Sequence, residues 1–311
     1  MKRLFLKAAG VAAAGALLKA CGGGGGGGSS SGPTGSLTLL QVLQQEGRFS
    51  TLLTALQDAG LADRLGQAGA GQTLFAPTND AFDMLSQRVG GLSAQKLAEL
   101  IGFHVVPKFF SAAGLRTLAA EGKTPETLYS HLGNTAVLIF VVDNNGPLSI
   151  WDGIGRTSIT IPETDVPASN GVLHVVSDVL LPRYVLTVSQ MLRANTDSLF
   201  AASMSAELDG AGPYTVFAPS NDAITGAVNV RDHVLAVQIG SDDFPPASTA
   251  YRTLSGRTTR LTKGAVPPQV INGTTVLATL ADSTPVQAIV TDVDFFGSNG
   301  VIHVINKVLM P

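Results

Sequence analysis

The stretch "NGVLHVVSDVLLP" occupies Asn170–Pro182, and "NGVIHVINKVLMP" occupies Asn299–Pro311. Eight of the thirteen positions are identical, including a histidine set among aliphatic residues, His174 in one stretch and His303 in the other. Internal similarity over a long period is typical of a chain built from repeated structural units. The two stretches therefore predict two copies of one unit, and each copy contains this segment.

Other segments recur in the same order. "TLFAPTNDAF" (73–82) matches "TVFAPSNDAI" (215–224), and His104 and His233 are 129 residues apart, as are His174 and His303. A period of this length is too long for a solenoid repeat and suits two domains. We predict domains at 36–182 and 183–311, each enclosing its own hydrophobic core.

The composition limits the possible functions. Of the 311 residues, 45% are hydrophobic and 14% are charged, and the net charge is −3. This supplies material for packed cores but no basic surface for nucleic acid, so no nucleic-acid partner is expected. With a single cysteine, no internal disulfide can form, and folding depends on core packing.

The N-terminal segment, residues 1–21, has a basic start and a short apolar run, which predicts an export signal. "KRLFLK" resembles the twin-arginine motif, with Lys in place of the first Arg. "LLKAC" resembles a bacterial lipobox with an atypical Lys19, which implies cleavage before Cys21 and lipidation of its thiol. The alternative is a plain secretory signal with an incidental cysteine.

The next segment, residues 22–35, is rich in Gly and Ser and cannot bury a core. We expect it to act as a flexible tether. An anchored Cys21 followed by a tether predicts a protein lipid-anchored to the cell envelope, at the outer membrane or the cell surface.

The repeat reads as a mixture of helices and strands. Phe49, Leu52, Leu53 and Leu56 follow the i, i+3, i+4, i+7 spacing of an amphipathic helix. The second half of each repeat is rich in β-branched runs broken by Asn-Gly, Pro or Asp, which predicts strands. The fold class expected is α+β.

Helix starts are predicted after each "FAP" strand. Thr78 is positioned to cap a helix through its hydroxyl, and Asp80 would lie in the first turn, where the helix dipole favours an acidic residue. Ser220 and Asp222 repeat both roles in the second copy. These four residues are predicted to be structural.

The histidines are also predicted to be structural. His174 and His303 lie in strands with apolar residues on both faces, so each imidazole needs hydrogen-bond partners. Candidates for His174 are Thr78, Asn79 or a backbone carbonyl of residues 73–82. His104 and His233 are expected near helix ends or loops and to be more exposed. His131 has no counterpart and is expected at the surface.

Catalytic motifs are absent from the sequence. The histidines are dispersed without zinc-ligand spacing, and no Gly-x-Ser-x-Gly or Gly-x-Gly-x-x-Gly motif follows a strand. We expect no enzyme, no metal and no cofactor.

The ordered motifs resemble the fasciclin (FAS1) domain family, in two tandem copies. The first family box would be 73–82 and 215–224, and the second 170–182 and 299–311. The resemblance implies a wedge-shaped β-sandwich with packed helices, and an adhesion function in which anchored domains bind surface proteins or glycans. The family's Tyr-His motif reads Phe103-His104 and Asp232-His233, so the integrin binding linked to that stretch in animal members is not carried over.

Two functions remain open from the sequence. The first is a membrane-anchored extracytoplasmic protein that mediates cell adhesion or matrix contacts. The second is a periplasmic or surface module that binds a small apolar or carbohydrate ligand. Aromatic residues in predicted loops would discriminate, because a contiguous exposed patch of them favours partner binding; these are Trp151, Phe109, Phe110, Phe295 and Phe296.

Overall fold

The computed structural model describes most of the chain beyond the predicted tether. The predicted export signal, Cys21 and the predicted tether up to residue 34 lie outside the described residues. Within the described part, no helix is long and apolar enough to cross a membrane. The described residues are 35–310 apart from 70, 143–145, 157–158, 196–197, 204–207, 266–268 and 272–273.

The helices of the first repeat are α1 Leu39–Gln45, α2 Ser50–Asp58, α3 Ala62–Gly66, α4 Asn79–Val89, α5 Ala94–Ile101 and α6 Ala112–Glu121. Those of the second repeat are α7 Val188–Ala194 and α8 Leu199–Ala202.

The strands of the first repeat are β1 Gln72–Pro77, β2 Val105–Val106, β3 Glu126–His131, β4 Asn134–Val137, β5 Ile139–Val142, β6 Leu148–Trp151, β7 Ile159–Thr160, β8 Glu163–Ala168 and β9 Gly171–Val176. Those of the second are β10 Tyr214–Pro219, β11 Val234–Leu235, β12 Thr249–Arg252, β13 Thr258–Lys263, β14 Gln269–Ile271, β15 Thr274–Val276, β16 Ala278–Ala281, β17 Ala288–Gly297 and β18 Gly300–Ile305.

Local sequence signals explain several helix limits. Leu52 and Leu56 of α2 are fully buried, as the apolar spacing predicts, and Gly60 follows the helix with a φ of 68°, a left-handed conformation that suits glycine. Thr38 and Thr187 begin α1 and α7 with equivalent capping boxes, in which the threonine hydroxyl and a glutamine three residues later satisfy each other's backbone N–H groups. Each repeat therefore starts with the same helix signal.

The two recurrent segments of each repeat are neighbouring parallel strands. Six residue pairs join β1 to β9 in register, with Phe75 beside His174. Six more join β10 to β18, with Phe217 beside His303. All six residues of β1 and all six of β9 are buried, which is typical of parallel strands covered on both faces.

The surrounding sheets differ between the repeats. In the first repeat the strand order is β2-β1-β9-β8, with β5-β6-β7 and β3-β4 as separate sheets. In the second, one seven-stranded sheet runs β11-β10-β18-β17-β16-β13-β12. The predicted α+β class is confirmed, with helices packed on sheets in each repeat.

The prediction that each repeat encloses its own core is wrong. One hydrophobic cluster runs from Leu39 of the first repeat to Ile302 of the second, and a smaller cluster lies within the second repeat around Leu261 and Leu280. The repeats are joined because α7 packs against α4 of the first repeat.

Tyr184, at the junction of the repeats, also joins them. Its ring lies between His131, with ring centroids 4.3 Å apart, and Phe296, at 5.5 Å. Its backbone N–H donates to the carbonyl of Phe296 at 3.0 Å, and the Tyr129 hydroxyl donates to the carbonyl of Arg183 at 2.9 Å. The junction is therefore held by residues of both repeats.

A shared core predicts that the repeats unfold together. Trp151, the sole tryptophan, lies in β6 of the first repeat, whereas far-UV circular dichroism reports both repeats. Urea unfolding followed by tryptophan fluorescence and by circular dichroism should give coincident curves, because a two-state transition looks the same to every probe. Two separated transitions would contradict a shared core.

Candidate functional site

His174 is fully buried between the paired strands and the loop that follows β2. Its Nε2 lies 2.9 Å from the carbonyl of Phe110, and its Nδ1 accepts the backbone N–H of Asp165 at 3.2 Å. These contacts define a neutral imidazole that donates from Nε2 and accepts at Nδ1. The ring stacks on Phe75 with centroids 5.6 Å apart.

His303 reproduces this arrangement in the second repeat. Its Nε2 lies 2.8 Å from the carbonyl of Ile239, its Nδ1 accepts the N–H of Asp294 at 3.3 Å, and its ring packs on Phe217 at 5.6 Å. The predicted partners of His174 in the first box, Thr78, Asn79 or a backbone carbonyl, are wrong. That segment contributes the aromatic ring, and the hydrogen bonds come from a loop and from the neighbouring strand.

The aspartates that meet these histidines have an unusual backbone. Asp165 and Asp294 have φ angles of 59° and 67° in the left-handed region. The carboxylate of Asp165 accepts the N–H of Ala112 at 2.8 Å, and that of Asp294 accepts the N–H of Ser241 at 2.9 Å. Each histidine and its aspartate thus fasten the loop after β2 or β11 to the sheet, and these contacts offset a conformation that costs on the order of 1 kcal/mol or more.

The expectation that His104 and His233 are more exposed is wrong, because both are fully buried. His104 accepts the N–H of Leu180 at Nε2, 2.9 Å away, and its Nδ1 lies 3.4 Å from the carbonyl of Leu100. Burial lowers the pKa of His104 to about 3.

His233 has a different partner from its counterpart. Its Nδ1 lies 3.0 Å from the carbonyl of Phe217, and within the described residues its Nε2 has no hydrogen-bond partner. Burial lowers the pKa of His233 to about 4. The first repeat reaches His104 through α5 and the 3-10 turn Gly102–His104, whereas the second reaches His233 through the 3-10 turn Val230–His233.

One asparagine anchors each second box to its surroundings. This role was not predicted from the sequence. Asn170 accepts the N–H of Leu39 at 2.9 Å and donates to the carbonyls of Leu65 and Gln67 at 2.7 and 2.8 Å. Asn299 makes the same three contacts in the second repeat, with Val188, Leu208 and Gly210. The presence of asparagine at this position in both copies was the sequence signal that could have indicated this role.

The predicted cap residues of the first box are only partly placed as expected. Thr78 occupies the cap position of α4, but its hydroxyl makes no cap hydrogen bond, and Ser220 precedes only a three-residue 3-10 turn, Asn221–Ala223, also without a side-chain cap. The prediction of hydroxyl caps is therefore wrong. Asp80 and Asp222 are exposed in the first turns of these segments.

The neighbouring asparagines carry the polar contacts of the first box. Asn79 accepts the N–H of Thr51 at 3.0 Å and donates to the carbonyl of Gly47 at 3.0 Å, and Asn221 accepts the N–H of Leu199 at 2.9 Å. The amide of each asparagine thus ties the first box to an earlier helix, α2 in the first repeat and α8 in the second.

A buried charge network lies at the end of the second box in the first repeat. Arg156 bridges Asp152 at 2.8 Å and Asp178 at 2.9 Å, and it also donates to the carbonyl of Val179. Asp178 receives a second guanidinium, that of Arg88, at 2.7 Å. Burial raises the pKa of Asp152, and the contacts with Arg156 oppose that rise.

The second repeat replaces this network with one of opposite polarity at the same position. Lys307 takes the place of Asp178 and lies 3.0 Å from Asp282, and it also donates to the hydroxyl of Thr284. Burial acts to raise the pKa of Asp282, but hydrogen bonds from Thr284, Met310 and Lys307 outweigh it and hold the pKa below its ordinary value. Both repeats neutralise the charge at this half-buried position, with different residues.

The aromatic residues predicted in loops do not form an exposed patch. Trp151, Phe295 and Phe296 lie in strands, so their placement in loops was wrong, and all five residues of the set are only half-buried. His131, expected at the surface, is half-buried against Tyr184.

The four paired histidines are buried and hydrogen-bonded, so this arrangement suits a structural role. Among the described residues, no group of three or more His, Cys, Asp or Glu could hold a metal ion.

Two tandem α+β domains, each with a first and a second box paired as parallel strands, define the class of this protein. The family model of the fasciclin domain matches residues 47–182 and 190–311. The chain belongs to the fasciclin domain family, and the resemblance found in the sequence is confirmed.

Named relatives share about a third of the aligned residues over one half of this chain. Protein sll1483 of Synechocystis sp. is 31% identical over 153 residues, which is 47% of this chain and 74% of that protein. Transforming growth factor-beta-induced protein ig-h3 of Sus scrofa is 30% identical over 151 residues, 47% of this chain and 19% of that protein. The matched segment thus spans less than a fifth of the pig protein.

A solved structure is also similar over most of the chain. It is a FAS1 domain pair from the insect cell adhesion molecule fasciclin I, 16% identical, covering 86% of this chain and 98% of that chain, with a TM-score of 0.42.

The buried histidines predict an acid-sensitive fold. Since their pKa values are about 3 and about 4 in the folded chain, His104 and His233 stay neutral there, while in the unfolded chain they titrate near 6.5. Below pH 6.5 the unfolded state binds more protons than the folded state, so the free energy of unfolding is highest above that pH and decreases as the pH drops. Each of the two histidines should lower the free energy of unfolding by about 2 kcal/mol between pH 7 and pH 5.

Urea unfolding at several pH values measures this loss. The variant His104→Gln should show a shallower pH dependence than the wild type, whatever its stability at pH 7. Equal slopes for the two proteins would refute the assignment.

The buried charge network predicts that two arginine substitutions have very different effects on the free energy of unfolding. Arg156→Met leaves the buried Asp152 without its countercharge and should lower the free energy of unfolding by about 3–5 kcal/mol. Arg88→Met leaves Asp178 still paired with Arg156 and should cost about 1 kcal/mol or less. Chemical denaturation measures both, and losses of similar size would show that Arg156 does not hold the network.

Proposed function

We propose that this chain is an exported, lipid-anchored adhesion protein of the cell envelope, whose tandem fasciclin domains bind surface proteins or glycans. The observation that carries the proposal is the tandem family match over residues 47–182 and 190–311. Fasciclin I, from which the similar solved domain pair comes, is named as a cell adhesion molecule.

The chemistry of the described residues supports binding over catalysis. Four histidines, the side chains best suited to acid–base work near neutral pH, are buried and serve to hold loops and strands. Binding of a partner would therefore use side chains on the surface of the domains. The anchor would come from Cys21 and the reach from the Gly/Ser tether, as the sequence predicts.

Attachment of cells to a surface or matrix tests this function. A strain that lacks the protein should attach less, and the wild-type gene should restore attachment. Cys21→Ser should release the protein from the membrane fraction and fail to restore attachment, while the tether variant Ser29→Ala should behave as the wild type.

Protease treatment of intact cells then tests surface exposure, and an exposed protein should be degraded. Unchanged attachment in the deletion strain would overturn the adhesion function. If a thermal-shift screen then found a stabilising metabolite, the small-ligand alternative would replace it.

A further inference from the structure

A basic hairpin lies at the edge of the large sheet in the second repeat. It consists of β12, Thr249–Arg252, β13, Thr258–Lys263, and the turn between them, and β12 is the edge strand. Residues 244–281 contain no Asp or Glu, although the chain as a whole carries a net charge of −3. Its four basic residues are Arg252, Arg257, Arg260 and Lys263.

Strand alternation sends two of these arginines to the solvent side. On β13, Thr259 and Leu261 are buried, whereas Arg260 between them is exposed. On β12, Arg252 is exposed and pairs across the hairpin with Thr258. The two arginines are therefore diagonal neighbours on one face, with backbones about 7–8 Å apart.

The neighbours of Arg260 on this face are small. It lies opposite Ala250 on one side and Ala281 on the other, so each cross-strand neighbour offers only a methyl group. Thr262 and Thr279 form the next cross-strand pair. The face thus presents two guanidinium groups among threonines and alanines, on a sheet surface that runs to an open edge.

The charge of these two arginines is not neutralised. Among the described residues, no carboxylate forms an ion pair with Arg252 or Arg260. Arg252 donates from Nε to the carbonyl of Gly256 at 3.1 Å, which orients the guanidinium and leaves its other N–H groups for a ligand. By contrast, Arg257 lies 3.3 Å from the carboxylate of Asp232.

The first repeat does not share this feature. At the 129-residue offset that separates His104 from His233, the matching residues 120–134 of the first repeat contain one basic residue, Lys123, and two acidic residues, Glu121 and Glu126. The excess of basic residues at this place in the repeat is therefore not carried by both copies.

We propose that the basic hairpin binds a linear acidic polysaccharide through its carboxylates. An arginine fork matches a carboxylate in bidentate geometry, and two forks on a flat sheet face can engage successive acidic sugars of one extended chain. The threonine hydroxyls suit sugar hydroxyl groups. The outward side chains between the arginines are no larger than alanine and threonine, so the face lacks the apolar anchors with which membrane-surface segments insert. This inference rests on the proposed function, since it names the class of glycan that is bound.

Binding of the purified chain to alginate, a polyuronate, tests the inference. The wild type should bind alginate and not neutral dextran, and its affinity should fall as salt rises, because screening weakens exposed charge pairs. The double variant Arg252→Gln/Arg260→Gln should lose about tenfold or more in affinity, as expected when two charge-assisted contacts are removed.

The matched control is Arg116→Gln in the first repeat. Arg116 is also exposed and also donates to a backbone carbonyl, that of Gly146 at 3.2 Å. The substitution therefore removes one comparable positive charge from a different surface. Its affinity for alginate should stay within about twofold of the wild type, since no contact with the polymer is lost. Circular dichroism verifies that every variant is folded.

Three results would overturn the inference: no binding of alginate by the wild type, equal binding by the double variant, or preferential binding to phosphatidylglycerol vesicles, which would make the partner a membrane surface. The proposed function is judged separately by attachment of the deletion strain. If cells need the protein to attach but the purified chain does not bind alginate, only the polysaccharide inference is refuted. If the chain binds alginate but the deletion strain attaches normally, only the adhesion function is refuted.

Discussion

The structure depends on parallel pairing between two strands about a hundred residues apart in the chain, β1 with β9 and β10 with β18. Such strands are buried on both faces, so every polar group in them must find a partner inside the protein. The imidazoles of His174 and His303 and the amides of Asn170 and Asn299 meet this requirement. In doing so, they fasten a loop and the first helix of each repeat to the central pair.

The repeats preserve this pairing while their surroundings differ. Where Asp178 meets Arg156 and Arg88 in the first repeat, Lys307 meets Asp282 in the second. A charge removed from water destabilises the fold unless an opposite charge lies beside it. Either sign is tolerated, provided that the partner carries the opposite charge. The sheets outside the central pair differ as well, and in the second repeat the edge of the seven-stranded sheet carries the exposed Arg252 and Arg260.

The junction makes the tandem pair one packed body within the described residues. A hydrophobic cluster crosses from one repeat to the other, and Tyr184 is stacked between rings of both. The buried histidines hold loops and strands to this body. The face with Arg252 and Arg260 is by contrast exposed and positively charged.

The sequence by itself determined the tandem α+β domains, the helix at Ser50–Asp58, the first-box strand and the burial of His174 and His303, because apolar periodicity and repeated motifs are local signals. Only the tertiary structure decided which groups satisfy those imidazoles, that His104 and His233 are buried, and that the hydroxyls of Thr78 and Ser220 do not cap. Those outcomes depend on contacts between residues far apart in the chain. A single sequence also does not reveal which neighbours flank Arg260, since cross-strand register is fixed by the packing of the whole sheet.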